Sequence, residues 1–299
     1  MGTVSPKKSK YSQLTAANAA IFRLIVSVVF FGGTFGAAAN PWEQVRAPYN
    51  SRAAAVGSYA NGCLAGAKAL PLSGVGFQVI RTERQRYYGH PLLISFINDF
   101  SQQLYQENHQ DILIADMSMP RGGNFSHGHA SHQIGLDVDI WFKLADKPLT
   151  PAQREQPLPL DMINTKQFSL DGQQWLPAHT RMLQVAAQDQ RVARIFVSPV
   201  IKQHLCRLPL SDDRWLEKIR PWWGHTYHMH VRLHCPADDS SCQEQAAIPK
   251  GNGCNELGWW KQQMAQPATP IAKKDKPSPK KTKSKVKPQQ CALILGEHQ

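Results

Sequence analysis

Histidine types and spacings carry the chemical signal in this chain. One group is His127, His129 and His132, followed by Asp139; the other is His225, His228 and His230. In a β-strand, residues i and i+2 point to the same side. His228 and His230 can therefore face one cavity. Asp139 sits on the polar face of another alternating run. Two imidazoles and one carboxylate around zinc, with water in the fourth place, make a catalytic site rather than a closed structural one. A metal there would lower the pKa of water to near 7 and polarise a carbonyl. The chain has no H-E-x-x-H motif. A lone strand histidine is an ordinary hydrogen-bonding residue. Two clusters with H-x6-D and H-x-x-H-x-H spacing outweigh that reading. His109 and His204 stand outside the clusters, and His127 and His234 read as peripheral.

The elements that must position these residues follow from periodicity. Leu136 to Phe142 alternates, with Leu136, Val138, Ile140 and Phe142 on one face and Asp137, Asp139 and Trp141 on the other. Thr226 to His234 alternates as well. Its Met229, Val231 and Leu233 oppose His228, His230, Arg232 and His234. A Gly/His-rich loop, 121–132, leads into the first run. Residues 77–81, 111–116 and 193–197 read as strands. Residues 91–105 place Leu93, Phe96, Ile97, Phe100 and Leu104 at helical spacing, and 178–189 and 212–220 suit helices. Residues 40–73 read as a loop-rich opening and 145–173 as a Pro-rich insert or lid. Trp222 and Trp223 read as packing residues. Strands with flanking helices, without strict βαβ alternation, indicate an α+β fold with a mainly antiparallel sheet and long loops.

Composition fixes the setting. The chain has 299 residues and a net charge of +12. The first 39 residues contribute +4 and residues 265–288, with eight lysines, contribute +7, which leaves the body at +1. A nearly neutral body argues against a nucleic-acid partner. Arg23, the apolar stretch Leu24 to Phe31 and Ala37-Ala38-Ala39 have the order of a secretory signal peptide over 1–39. Stable membrane insertion after cleavage is not expected. The predicted organisation is a leader (1–39), a catalytic domain (40–266), then a Lys/Pro-rich tether and C-terminal segment (267–299) tied back by Cys291. Six cysteines in an exported chain imply three disulfides, with fifteen possible pairings. No C-x-x-C pair supports a zinc ribbon, and no G-x-S-x-G, P-loop or G-x-G-x-x-G occurs. Ser278 to Lys281 fits S-x-x-K only formally, without its partner motifs.

The stretches Gly128-His129-Ala130-Ser131-His132-Gln133-Ile134-Gly135-Leu136-Asp137-Val138-Asp139 and Trp222-Trp223-Gly224-His225-Thr226-Tyr227-His228-Met229-His230-Val231-Arg232 strongly resemble the penicillin-insensitive murein endopeptidases. Those enzymes belong to a wider group of lysostaphin-like, D-alanyl-D-alanine-cleaving and hedgehog-like zinc proteins. The resemblance covers about residues 60–265 and implies one zinc ion per chain, held by His132, Asp139 and His230. It implies His228 as base or oxyanion partner and His129 and His225 as further active-site histidines. Asp137 matches the motif, and its face suggests a carboxylate behind the ligands. The implied disulfides are Cys63–Cys291, Cys206–Cys254 and Cys235–Cys242. The implied substrate is the D-alanyl–meso-diaminopimelyl cross-bridge of periplasmic peptidoglycan, cleaved without an acyl-enzyme. Two alternatives share these features. A zinc D,D-carboxypeptidase or dipeptidase would need Arg121 or Arg232 to grip a free carboxylate. A non-enzymatic wall-binding zinc protein would not need His228.

Overall fold

A computed structural model describes residues 40–164, 167–265 and 285–296. The expected signal peptide and most of the Lys-rich tether lie outside them. After a helical turn at Pro41–Gln44 comes an antiparallel hairpin, β1 (Ala54–Ser58) and β2 (Asn61–Ala65). This corrects the loop-rich reading of 40–73. Small residues pair here without the β-branched alternation that marks most strands. The chain then passes through β3 (Ser73–Gly74) and β4 (Phe77–Val79) into helix α1 (Pro91–Asn108). Strands β5 (Asp111–Ile114) and β6 (Asp137–Ala145) follow, then helix α2 (Pro177–Gln188) and β7 (Val192–Val197). Helix α3 (Pro199–Leu205), β8 (Ile219–Pro221) and β9 (His228–Leu233) complete the main body. Beyond it lie β10 (Cys242–Gln243), α4 (Leu257–Ala265) and α5 (Gln290–Leu295).

Seven strands form the main sheet in the order β8-β7-β9-β6-β5-β4-β3. The pairs β7/β9, β9/β6, β6/β5 and β4/β3 are antiparallel; β8/β7 and β4/β5 are parallel. The α+β, mainly antiparallel expectation holds. Helix α1 begins at Pro91, where a missing N–H costs nothing, and the His90 side chain accepts from Leu92 N–H. Its Leu93, Phe96, Ile97, Phe100 and Leu104 are all buried. Truncating Phe96 to Ala would cost about 3–5 kcal/mol. On α2, Met182, Leu183 and Ala186 join the same core.

Two readings change in detail. The 212–220 stretch is a 3-10 turn, Arg214–Lys218, that runs straight into β8. The 145–173 insert carries a helical turn, Pro151–Glu155, capped by Thr150, and a ribbon pairing Ile163–Asn164 with Ser169–Leu170. Met162 is fully buried, and its N–H donates to the Thr226 carbonyl just before β9. This part of the insert is therefore packed against the sheet. Three disulfides close the structure: Cys63–Cys291, Cys206–Cys254 and Cys235–Cys242. The first fixes α5 to β2.

Candidate metal centre

The register of the two central strands builds the site. In the β6/β9 pair, His230 stands opposite Asp139, His228 opposite Trp141, and Arg232 opposite Asp137. One polar row from each strand thus meets on one face of the sheet. The 121–132 loop supplies the remaining histidines. His132 takes φ +67°, a left-handed conformation uncommon for a residue with a side chain, and its N–H donates to Asp137 Oδ2 at 3.0 Å. Gly135, three residues on, has φ +71°; a Cβ there would lie 2.4 Å from Leu64 Cδ2 and 2.9 Å from the His90 nitrogen. Only glycine allows the chain to turn from the loop into β6 at this point.

Asp139 is the hub. Its Oδ1 lies 3.5 Å from His132 Nε2 and 3.3 Å from His230 Nδ1. Its Oδ2 lies 3.1 Å from His129 Nε2 and 3.8 Å from His228 Nε2. One ligand atom each from His129, His132, Asp139 and His230 falls within 4.8 Å of all the others, an arrangement that could hold a metal ion. His132, Asp139 and His230 are almost completely buried, and His228 nearly so. Both ring nitrogens of His132, both of His228, and Asp139 Oδ1 have no hydrogen-bond partner. Buried polar atoms left unpaired are costly and uncommon. Imidazole nitrogens and a carboxylate oxygen converging on one point are a donor set that a cation such as zinc satisfies. The residues fit a metal.

The electrostatics agree with a preorganised site. Burial alone would raise the Asp139 pKa, yet the surrounding His132, His228 and His129 hold it well below the usual carboxylate range. Burial pushes His228 and His230 down to about 4, so both rings are neutral and offer lone pairs near neutral pH. His129 moves the other way: burial opposes its charge, and Asp139 and Asp116 outweigh that.

Behind the cluster, Asp137 is fully buried. It accepts from Arg232 Nε at 2.8 Å and Nη2 at 3.1 Å, and lies 3.2 Å from His230 Nε2. A carboxylate there fixes the ring so that Nδ1 faces Asp139. Asp116, which the sequence reading passes over as part of a strand, holds His129 at the same Nε2 that meets Asp139. It lies 3.4 Å from His129 Nε2 and accepts from Arg86 at 3.0 Å and Arg84 at 3.2 Å. The available signal was a charged residue ending the apolar run Ile112 to Ala115.

The other candidates are also placed. His225 donates its Nδ1–H to the Trp223 carbonyl at 2.8 Å, and its ring centre lies 4.9 Å from that of His228. It shares with His129 and His230 a cleft of about 350 Å³ whose rim includes Trp222 and Trp223. Both tryptophans are about half exposed, so the packing reading holds for part of each: Trp222 lies against Phe196 and Trp223 against Trp260. His127 is exposed, and His234 pairs with Glu244. His204 packs on Trp175, and His109 caps α1. The two arginines considered for gripping a free carboxylate both have partners in the protein, although Arg232 also lines the cleft. Arg232 is buried on Asp137, and Arg121 donates to the Ile294 and Leu295 carbonyls at the end of α5.

Comparison with known proteins gives this fold and site a class: a peptidase. Residues 55–296 match the penicillin-insensitive murein endopeptidase family, and the chain belongs to that family. A penicillin-insensitive murein endopeptidase of Klebsiella pneumoniae (strain 342) is 43% identical over 262 residues, covering 87% of this chain and 93% of that relative. Its namesake in Pectobacterium atrosepticum is 42% identical over 262 residues, covering 87% and 90%. The one in Yersinia enterocolitica is 43% identical, covering 87% and 92%.

Proposed function

We propose that this chain is a zinc-dependent murein D,D-endopeptidase that hydrolyses D-alanyl–meso-diaminopimelyl cross-bridges in the periplasm. The observation that carries the reading is the convergence of His129, His132, Asp139 and His230 at the wall of the cleft, in a chain from this family. Three disulfides suit an oxidising compartment. Among the described residues no helix is long and apolar enough to cross a membrane.

His132 Nε2, an Asp139 oxygen and His230 Nδ1 would hold one zinc ion. Zinc there supplies Lewis acidity, polarising the scissile carbonyl and making water a nucleophile near neutral pH. His228 faces the cluster with both ring nitrogens unpartnered. It takes the proton of the attacking water and hands it to the leaving amine as the C–N bond breaks. His129 Nε2 is committed to Asp116 and Asp139, which argues against a fourth ligand and leaves Nδ1 of this cleft-lining ring for the substrate. His225 gives its Nδ1–H to the Trp223 carbonyl, which leaves Nε2 as an acceptor in the cleft for a substrate N–H. No serine is acylated in this scheme, so a β-lactam has no nucleophile to trap.

The test is digestion of cross-linked muropeptide dimers by the purified full chain, with penicillin, with and without a chelator, read by mass spectrometry. Conversion of dimers to monomers, indifferent to penicillin and stopped by the chelator, is expected. Release of a terminal D-alanine alone, or no cleavage by the zinc-loaded chain, would overturn the reading.

A further inference from the structure

The eight tryptophans divide into two sets. Trp42, Trp141, Trp175, Trp215 and Trp260 are buried, whereas Trp222, Trp223 and Trp259 are 52%, 50% and 54% exposed. Large aromatic surface left in water marks a binding face when it is concentrated. Here it is. Trp260 is the support: Trp223 meets it edge-on at 5.1 Å between ring centres, and Trp259 does so at 4.9 Å. Trp222, next in the chain to Trp223, packs at 5.8 Å on Phe196, which in turn lies 5.3 Å from His230. A band of rings thus runs from the metal cluster, past the cleft rim, to the exposed side of α4. Trp259 lies outside the cleft, and its packing against Trp260 uses only part of its ring.

We infer that this band is a carbohydrate platform that holds the glycan strand of murein while the cleft takes the peptide. The inference rests on the proposed reading of the chain as a murein endopeptidase. Three features favour a sugar. A pyranose stacks its C–H face on an aromatic ring and keeps its hydroxyl edge in water, which matches rings that are half exposed. On α4 the exposed neighbours of Trp259 are Gly258, Lys261 and Gln262, while Leu257 and Met264 are half-buried; a protein-docking or lipid-facing surface would expose aliphatic side chains. Murein peptides are attached to the glycan, so a strand must pass close to any cleft that receives one. The platform would act on substrate capture and leave the chemical step to the histidines.

The test uses the full chain with Trp259→Ala and Trp259→Tyr. Tryptophan fluorescence is titrated with peptide-free glycan strands. Hydrolysis is compared on glycan-bearing cross-linked muropeptides and on the same cross-linked peptides stripped of sugar. Trp259→Ala is expected to weaken glycan binding by about tenfold and raise KM on the glycan-bearing substrate by a similar factor, as for loss of one aromatic anchor. Its kcat and its rate on sugar-free peptide stay at the parent level, and Trp259→Tyr recovers most of the loss. Absence of glycan binding by the parent, unchanged binding in Trp259→Ala, or equal losses on both substrates would overturn the inference. So would binding of anionic phospholipid vesicles in place of glycan. If neither substrate is cleaved, the endopeptidase reading fails, and the glycan titration still decides the platform by itself.

Discussion

Asp137 and Arg232 face each other across the β6/β9 register and share two buried hydrogen bonds, 2.8 and 3.1 Å long. The same carboxylate receives the His132 N–H and lies against His230 Nε2. One ion pair therefore ties both strands and two of the proposed ligands together. Burial opposes the Asp137 charge, but Arg232 and His230 keep it well below the usual carboxylate range.

Arg232→Ala removes the only arginine partner, among the described residues, of a fully buried carboxylate. A cost of about 3–5 kcal/mol is expected, because the charge left behind is uncompensated. Urea unfolding of the oxidised protein measures it. Asp137→Asn keeps the shape and loses the charge. Zinc affinity should fall by about 10–100-fold, the usual effect of removing a carboxylate behind a ligating histidine. A competition titration with a chromophoric chelator reads this, and unchanged affinity would remove Asp137 from the site.

His228→Ala separates chemistry from metal holding. The ring lies 3.8 Å from Asp139 Oδ2, farther than the His132 and His230 rings lie from Asp139 Oδ1, 3.5 and 3.3 Å. The variant should bind one zinc per chain and lose about 10²–10⁴-fold in kcat, the range for a general acid–base. Metal analysis and turnover on cross-linked muropeptide decide it. Loss of zinc together with activity would make His228 a ligand instead.

The sheet centre was legible because β6 and β9 carry their chemistry in strict alternation. His228 and His230 on one strand, and Asp137 and Asp139 on the other, announce a common face. Helix α1 was legible from Leu93, Phe96, Ile97, Phe100 and Leu104. The register that sets His230 opposite Asp139 was not, since strand pairing depends on contacts distant in sequence. Hairpin β1/β2 stayed hidden because its Ala, Gly and Asn residues carry no strand pattern. Alternation in β6 also overstated its polar face: Trp141 is as buried as Ile140, because β6 is covered on both sides. The role of Asp116 depends on Arg84, Arg86 and His129 folding around it, which no local spacing encodes.

Lys202 gives stability a pH dependence away from the site. It is fully buried on α3, and its Nζ donates to the Leu216 carbonyl at 2.6 Å and to that of Asn252. Burial, helped by Arg220, pushes its pKa down to about 7 from an ordinary 10.5. Between those values the unfolded chain binds the proton and the folded chain does not, so stability rises with pH. Below pH 7 both states are charged and the slope vanishes. Relative to Lys202→Met, the parent should gain up to about 1.4 kcal/mol per pH unit from pH 7 to 9. Urea midpoints for both proteins across this range test it, and a constant difference would show that Lys202 does not titrate there.

Metal binding should also appear as stability. His132 and Asp139 carry buried atoms with no partner in the protein, so the folded chain holds an unsatisfied cluster that a cation relieves. The unfolded chain has no such constellation. Binding to the folded state alone adds about 4 kcal/mol at a free zinc concentration near a thousand times Kd. For a chain of this size that corresponds to a Tm increase of roughly 8–16 °C. Chelation should reverse it, and His132→Ala should abolish the response to zinc. Calorimetry with and without zinc, on the parent and the variant, separates this from general salt effects. An equal Tm increase in both proteins would place the stabilising ion elsewhere.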